Sequence, residues 1–127
     1  MMLYRLLFVE QYRDPESLMR DIVAQLTDDL RRPPYKGNKN PLTGHCYVAS
    51  EALYHLLGSK DWVPCNIQHE GSPHWYLKNK VTGEVLDPTA GQFDTPVPYS
   101  QGRGKGFLTK QPSKRAAELL RRLNANN

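Results

Sequence analysis

Apolar positions along this chain recur with two different periods. From Gly44 to Gly58, GHCYVASEALYHLLG, they fall at Cys46, Val48, Ala49, Ala52, Leu53, Leu56 and Leu57. That spacing draws one buried face of a helix. Ala, Glu and Leu favour helix, no proline interrupts them, and Gly58 is a natural stop. Asn40-Pro41-Leu42-Thr43-Gly44 ahead of it is turn chemistry, with Thr43 placed to cap the first turn. An earlier helix is predicted from Asp14-Pro15-Glu16, an N-cap followed by proline and an acid. Leu18, Met19, Ile22, Val23, Leu26 and Leu30 carry its apolar stripe to about Arg32, and Pro33-Pro34 ends it. A basic amphipathic helix closes the chain from Ser113 to about Leu123, apolar at Ala116, Ala117, Leu119, Leu120 and Leu123.

After Gly58 the period shortens towards two. Residues 63–69, VPCNIQH, alternate, Gly71-Ser72-Pro73 turns the chain, and a second run begins at His74-Trp75-Tyr76-Leu77. Residues 79–83 turn again into Glu84-Val85-Leu86-Asp87, which predicts an antiparallel meander with strands near 63–69, 74–78 and 84–87. Alternation puts His74 and Tyr76 on one face, Trp75 and Leu77 on the other. Leu3–Val9 reads as a short strand, with helix left open by so brief a run. Residues 88–110 form a long irregular stretch rich in proline and glycine. The expected fold class is α+β: a central helix packed on a small antiparallel sheet, with N- and C-terminal helices, in one domain spanning residues 1–127.

Composition narrows the function classes. Hydrophobic residues make up 39% and charged residues 24% of 127, ordinary for a globular protein, and no apolar run suits a membrane span. MMLYRLLFVE lacks a small-residue cleavage site, so it reads as structure rather than a signal peptide, and a cytoplasmic location is expected. Two cysteines are too few for a disulfide framework, although a single Cys46–Cys65 bridge stays open. The net charge of +4 is uneven. Residues 1–32 hold five basic against six acidic residues. The segment 101–127 holds seven basic residues, Arg103, Lys105, Lys110, Lys114, Arg115, Arg121 and Arg122, against Glu118 alone. That segment is either a solvated tail or a patch for an acidic host protein or nucleic acid.

Cys46 falls in the first turn of the central helix, where unpaired N–H groups and the helix dipole favour a thiolate. By itself it is either a small buried hydrophobe or a nucleophile. His74 opens one strand and Asp87 ends the next, and the turn at 79–83 lies near their midpoint. Antiparallel pairing then brings imidazole and carboxylate together. A carboxylate fixes the imidazole tautomer, and the imidazole holds a nearby thiol as thiolate. Trp75 is either core or a flank of that thiolate. His45 and His55 read as a surface residue at the helix start and a helix-face residue. A zinc site from Cys46, Cys65, His69 and His74 matches no paired ligand spacing, so no metal or other cofactor is expected.

Glycine then cysteine opening a core helix, a His-Trp pair in a strand and Leu-Asp-Pro-Thr ending the next resemble the transglutaminase-like branch of the papain-like superfamily. The strings GHCYVASEALYHLLG, HWYL, VLDPTAGQF and GKGFLTKQPSKRA also resemble small uncharacterised proteins of tailed bacteriophages. The resemblance implies a papain-like/transglutaminase-like core with Cys46 as nucleophile, His74 as general base and Asp87 as its orienter. The implied reaction is acyl transfer from an amide of a protein or small molecule, through a thioester on Cys46. It also implies an oxyanion hole from the Cys46 N–H and a nearby side-chain amide, for which Asn40 is the candidate, its alternative role being to begin a turn. Gln92 is a candidate wall of the same pocket. The competing function is a non-catalytic phage protein on the same scaffold, binding a host protein or nucleic acid through its basic C-terminal third. If phage-encoded, either protein would work in the host cytoplasm.

Overall fold

The computed structural model describes residues 14–125, so the strand expected at Leu3–Val9 lies outside the described residues. Three helices, α1 (Pro15–Ala24), α2 (Cys46–Leu57) and α3 (Lys114–Ala125), pack with a four-stranded antiparallel sheet. The strands are β1 (Trp62–His69), β2 (Ser72–Asn79), β3 (Val85–Leu86) and β4 (Arg103–Gly104), in the order β3-β2-β1-β4. The architecture is α+β, as the change of period predicts. Among the described residues no helix is long and apolar enough to cross a membrane.

α2 is the packing centre. Val48, Ala49, Ala52 and Leu53 are buried against Leu77 and Leu86 of the sheet, Ile22 of α1, and Ala116 and Leu119 of α3. The small Ala49 and Ala52 let the neighbouring elements approach closely. Gly58 ends the helix in the left-handed conformation (φ 62°), as its position predicts.

Local chemistry moves several expected boundaries. α1 stops at Ala24, short of Arg32, and a separate 3-10 turn, Asp28–Leu30, follows, with the Asp28 carboxylate turned to the backbone of the loop beyond it. Asp28 Oδ1 accepts from the Gly37 N–H (2.8 Å) and from Arg31 (2.9 Å). Side chains that bond local backbone in this way compete with helix. The first hairpin turns at Glu70-Gly71 alone, both with positive φ (49° and 81°). β2 therefore begins at Ser72, two residues earlier than expected, and Gln68 pairs with Pro73. β3 is shorter than expected, pairing only Leu86 with Leu77 and Val85 with Lys78. The irregular stretch contributes the unforeseen β4, which adds Arg103 and Gly104 to the outer side of β1.

α3 is tied to α2 through a buried carboxylate. Glu51, mid-helix and fully buried, accepts from both the N–H and the hydroxyl of Ser113, each at 2.7 Å. The Ser113 hydroxyl in turn accepts from the Ala116 N–H (3.2 Å), capping α3. Glu51→Ala is expected to lower the unfolding free energy by about 2–3 kcal/mol, because it strands two buried donors of a charge-assisted pair. Ser113→Ala should cost about 1 kcal/mol. Urea unfolding followed by far-UV circular dichroism gives both values, and equal small effects would mean that Glu51 is not the anchor.

Candidate active site

The approach to Cys46 is set by a buried arginine. Arg31, 5% exposed, donates from Nε to the Thr43 carbonyl (2.8 Å), from one terminal nitrogen to Asn38 O (3.1 Å) and from the other to Asn40 O (2.5 Å). One planar fork thereby gathers three carbonyls of the loop before α2. Thr43 does not cap the helix: its carbonyl is held by Arg31, and His45 is the flanking residue, with no side-chain cap. Gly44 lies between them at φ 85°, with Tyr35 so close that a Cβ would come within 2.5 Å of the Tyr35 Cβ and 2.8 Å of its ring. Only glycine fits there. His45 is buried, 1% exposed, not a surface residue. Its ring bridges Pro41 O (3.0 Å) and Thr27 O (2.9 Å), and burial holds its basicity below the usual value. Loop and α1 side are thus pinned to each other directly before the cysteine.

At the other end of the site, His74 Nε2–H donates to Asp87 Oδ2 at 2.7 Å. The His74 side chain is fully buried and the Asp87 side chain 4% exposed. Tyr99 donates its hydroxyl to the same Asp87 oxygen (2.7 Å), and the Thr89 N–H reaches Oδ1 (3.3 Å). Tyr76 supports this from beneath by donating to the Tyr99 carbonyl (2.9 Å). Burial, reinforced by Asp87, raises the Tyr99 hydroxyl well above its ordinary range, and burial pushes Tyr76 up to about 12. Both phenols therefore stay protonated donors at neutral pH.

The electrostatics of His74 are a contest. Burial acts most strongly and disfavours the charged ring. The hydrogen bonds and charges of Asp87 and Cys46 together outweigh it, and the ring is pushed up to about 9. Cys46 Sγ is aimed at the Pro73 carbonyl (3.9 Å) while influencing the His74 ring from close by.

The sheet meets α2 with the face that carries Trp75 and Leu77, not the face that carries His74. Leu77 packs against α2, and Trp75 sits edge-on to Tyr47 of α2 at 4.9 Å. His74 alternates with them and shares its face with Tyr76. Cys46 and His74 approach beside Pro73, where β3 has ended and, among the described residues, no strand borders His74 on that side.

A cleft of about 560 Å³ opens over Cys46, with Trp75, Gln92 and Phe93 in its walls. The Gln92 amide nitrogen lies 3.2 Å from His74 Nδ1 and 3.2 Å from Thr89 Oγ1. With a neutral ring the amide N–H donates to Nδ1; with an imidazolium, the amide oxygen would have to face it. Trp75 stacks on Phe107 at 5.5 Å. Asn40 is not part of this cleft. Its Oδ1 accepts from the Leu42 N–H (2.9 Å), which makes it a turn former. The Cys46 N–H, at the helix start, is taken by no carbonyl among the described residues.

Other expected residues disperse. Cys65 is buried in the second, smaller cluster with Ile67 and Tyr76, both thiols are free, and burial pushes the Cys65 thiol up. His69 turns to Thr95 (3.2 Å). Among the described residues no three His, Cys, Asp or Glu side chains gather as a metal site. The basic segment also divides. Arg121 and Arg122 bind Glu118, and Arg122 reaches Asp29 (2.6 Å). Lys105 sits over the Trp75 ring at 5.8 Å, and Arg103 lies on β4. Lys114 and Arg115 instead line the cleft beside Cys46. Tyr99 went unforeseen, because a tyrosine inside Pro-Val-Pro-Tyr-Ser carries no periodic signal.

Comparison with protein-family models, curated proteins and solved structures yields no significant match to this chain.

Iodoacetamide is expected to modify Cys46 at least about tenfold faster than Cys65 at neutral pH, as read by peptide mass spectrometry. His74→Ala should slow Cys46 alone, and equally slow labelling of both thiols would remove Cys46 as a nucleophile.

The His74 proton also predicts a pH dependence. The folded ring titrates near 9 against 6.5 for the free side chain, so folding tightens its hold on that proton. The resulting stabilisation is complete below about pH 6.5 and is lost as pH rises through about 9. The urea midpoint should fall across that window, and Asp87→Asn should flatten the fall. A parent midpoint that stays level there contradicts the pairing.

Proposed function

We propose that this protein is a cysteine-nucleophile enzyme that attacks an amide carbonyl, with Cys46 as nucleophile, His74 as proton carrier and Asp87 as the group that orients His74. The observation that supports it most is the buried His74–Asp87 hydrogen bond at 2.7 Å, with the Cys46 thiol close enough to raise the ring's basicity. A buried imidazole with a dedicated carboxylate partner beside a cleft thiol is the arrangement that nucleophilic catalysis requires. The resemblance to the transglutaminase-like branch of the papain-like superfamily supports the same assignment.

The chemistry balances as follows. Proton transfer from Cys46 to His74 gives thiolate and imidazolium. The thiolate attacks the amide carbon, and the Cys46 N–H supports the developing oxyanion. As the tetrahedral intermediate collapses, the imidazolium proton passes to the nitrogen, ammonia or an amine departs, and a thioester remains on Cys46. Water, or an acceptor amine, then gives its proton to His74 and attacks the thioester carbon. The acyl group leaves as acid or new amide, and the thiol is restored. Gln92 borders both the cleft and His74, so it is the side-chain amide available to shape this pocket in place of Asn40.

Ammonia release from a panel of glutamine-containing peptides, with trapping of the acyl-enzyme by mass spectrometry, tests the proposal. Cys46→Ala should abolish product and Cys65→Ala should preserve it. His74→Ala should lower kcat by about 10²–10⁴-fold. Turnover that survives Cys46→Ala would refute the assignment.

A further inference from the structure

Three cations that no carboxylate balances face the cleft of the nucleophile. Arg32, Lys114 and Arg115 all line the cavity that Cys46 opens into, and they come from two separate elements. Arg32 follows the 3-10 turn at Asp28–Leu30 and carries its guanidinium over the Tyr47 ring, 5.9 Å from its centre. Lys114 and Arg115 form the first turn of α3, which contains no acidic residue. Cations at that end oppose the helix dipole. Glu118 is the carboxylate in reach along the helix, three and four residues on, yet it is bonded to Arg121 and Arg122 instead. The one acid in the cleft wall, Glu70, is committed as well. Its carboxylate accepts from the N–H (2.9 Å) and hydroxyl (2.5 Å) of Thr95 and lies 3.7 Å from His69.

Nothing in the packing requires this arrangement. Arg32 and Lys114 are exposed, and none of the three cations makes an ion pair among the described residues. The stem of α3 is placed by Glu51 and Ser113, so the two cations that follow are carried to the cleft on a rigid mount. With three cations against the one carboxylate of Glu70, the cleft lining carries net positive charge, which raises the local concentration of anionic ligands. Its volume of about 560 Å³ suits a few residues of peptide rather than a bare ion.

We infer that the cleft selects an acidic peptide segment: the amide attacked by Cys46 is flanked by carboxylates that Arg32, Lys114 and Arg115 receive. This rests on the thioester reading above and adds the substrate class to it. Trp75 and Phe93 supply the apolar walls for the peptide backbone and side-chain stems between the charges.

The test separates charge selection from turnover. Cys46 is alkylated with anionic iodoacetate and with neutral iodoacetamide, and the ratio of the two rates is measured at low and high salt. The ratio should favour iodoacetate at low salt, fall as salt is added, and drop by about tenfold or more in Arg32→Gln/Lys114→Gln/Arg115→Gln. His74 is intact in that variant, so the drop reports the three cations rather than the imidazolium. In the ammonia-release assay, a glutamine flanked by Asp and Glu should show a lower KM than one flanked by Lys, and the triple variant should erase the difference. An alkylation ratio that the triple substitution leaves unchanged overturns the inference, whatever the rate of turnover. A ratio that shifts as expected in a protein with no amide turnover upholds the anion-selective cleft and refutes the thioester reading instead. An alkylation ratio that shifts as expected, in a protein that turns over the glutamine peptides without discriminating among them, overturns the peptide assignment.

Discussion

The Asp87 carboxylate is the interaction on which the rest of the site depends. It stands where β3 ends and the irregular segment begins, and it receives His74 from β2, Tyr99 from a distant loop and the Thr89 N–H from its own turn. A buried carboxylate is costly without such donors. Three of them, one cationic when His74 is protonated, replace the water it has lost. Charge-assisted bonds of this kind are roughly twice as strong as neutral ones. The carboxylate thereby ties the loop that carries Tyr99 to the β2–β3 ladder, and the long stretch after Pro88 is organised around it. Gly102 shows how tightly: a Cβ there would meet the Tyr76 hydroxyl at 1.7 Å, displacing the phenol that holds the Tyr99 backbone.

Cys46 is positioned by different means. Its place follows from backbone clamps rather than from the sheet: Arg31 gathers three loop carbonyls, His45 ties the helix start to Thr27 and Pro41, and Gly44 makes the turn under Tyr35. Cys46 and His74 therefore belong to two separately built halves that meet beside Pro73. Such a junction can hold the sulfur and the ring at a loose distance without strain in either half.

Periodicity made the central helix, the closing helix and the two long strands legible, because each buries one face and the spacing of Val48, Ala49, Ala52 and Leu53, or of Cys65, Ile67 and their neighbours, records that burial. The His74–Asp87 pair was legible too, since hairpin symmetry alone brings those positions together. What sequence could not give was anything fixed by a side chain reaching across the fold. Arg31 looks like any basic residue in an Asp-Asp-Leu-Arg-Arg string, yet it takes the Thr43 carbonyl and so moves the helix cap. Tyr99 and Asn40 fall among turn formers, where no repeating pattern says which one reaches inward. Which strand face meets the helix is not legible for a related reason. Alternation was read correctly, but which face meets the helix depends on Leu77 and Leu86 sharing the core, and the contact between Cys46 and His74 comes at the sheet's margin.

Stability and chemistry draw on the same atoms here. A buried imidazolium–carboxylate pair gains from its mutual attraction but loses hydration on both charges. An apolar pair of similar shape could fill the same space with as much stability, so packing alone gives no reason to keep it. The ring's high basicity, maintained against the burial that opposes it, keeps a proton stored beside a thiol. A fully buried base also meets little bulk water, so proton exchange runs through its immediate neighbours, Cys46 and Gln92 on one side and Asp87 on the other. That restriction would be a defect in a purely structural pair. Beside a cleft, it would limit the proton to the two destinations that the proposed acyl transfer needs, the departing nitrogen and the returning sulfur.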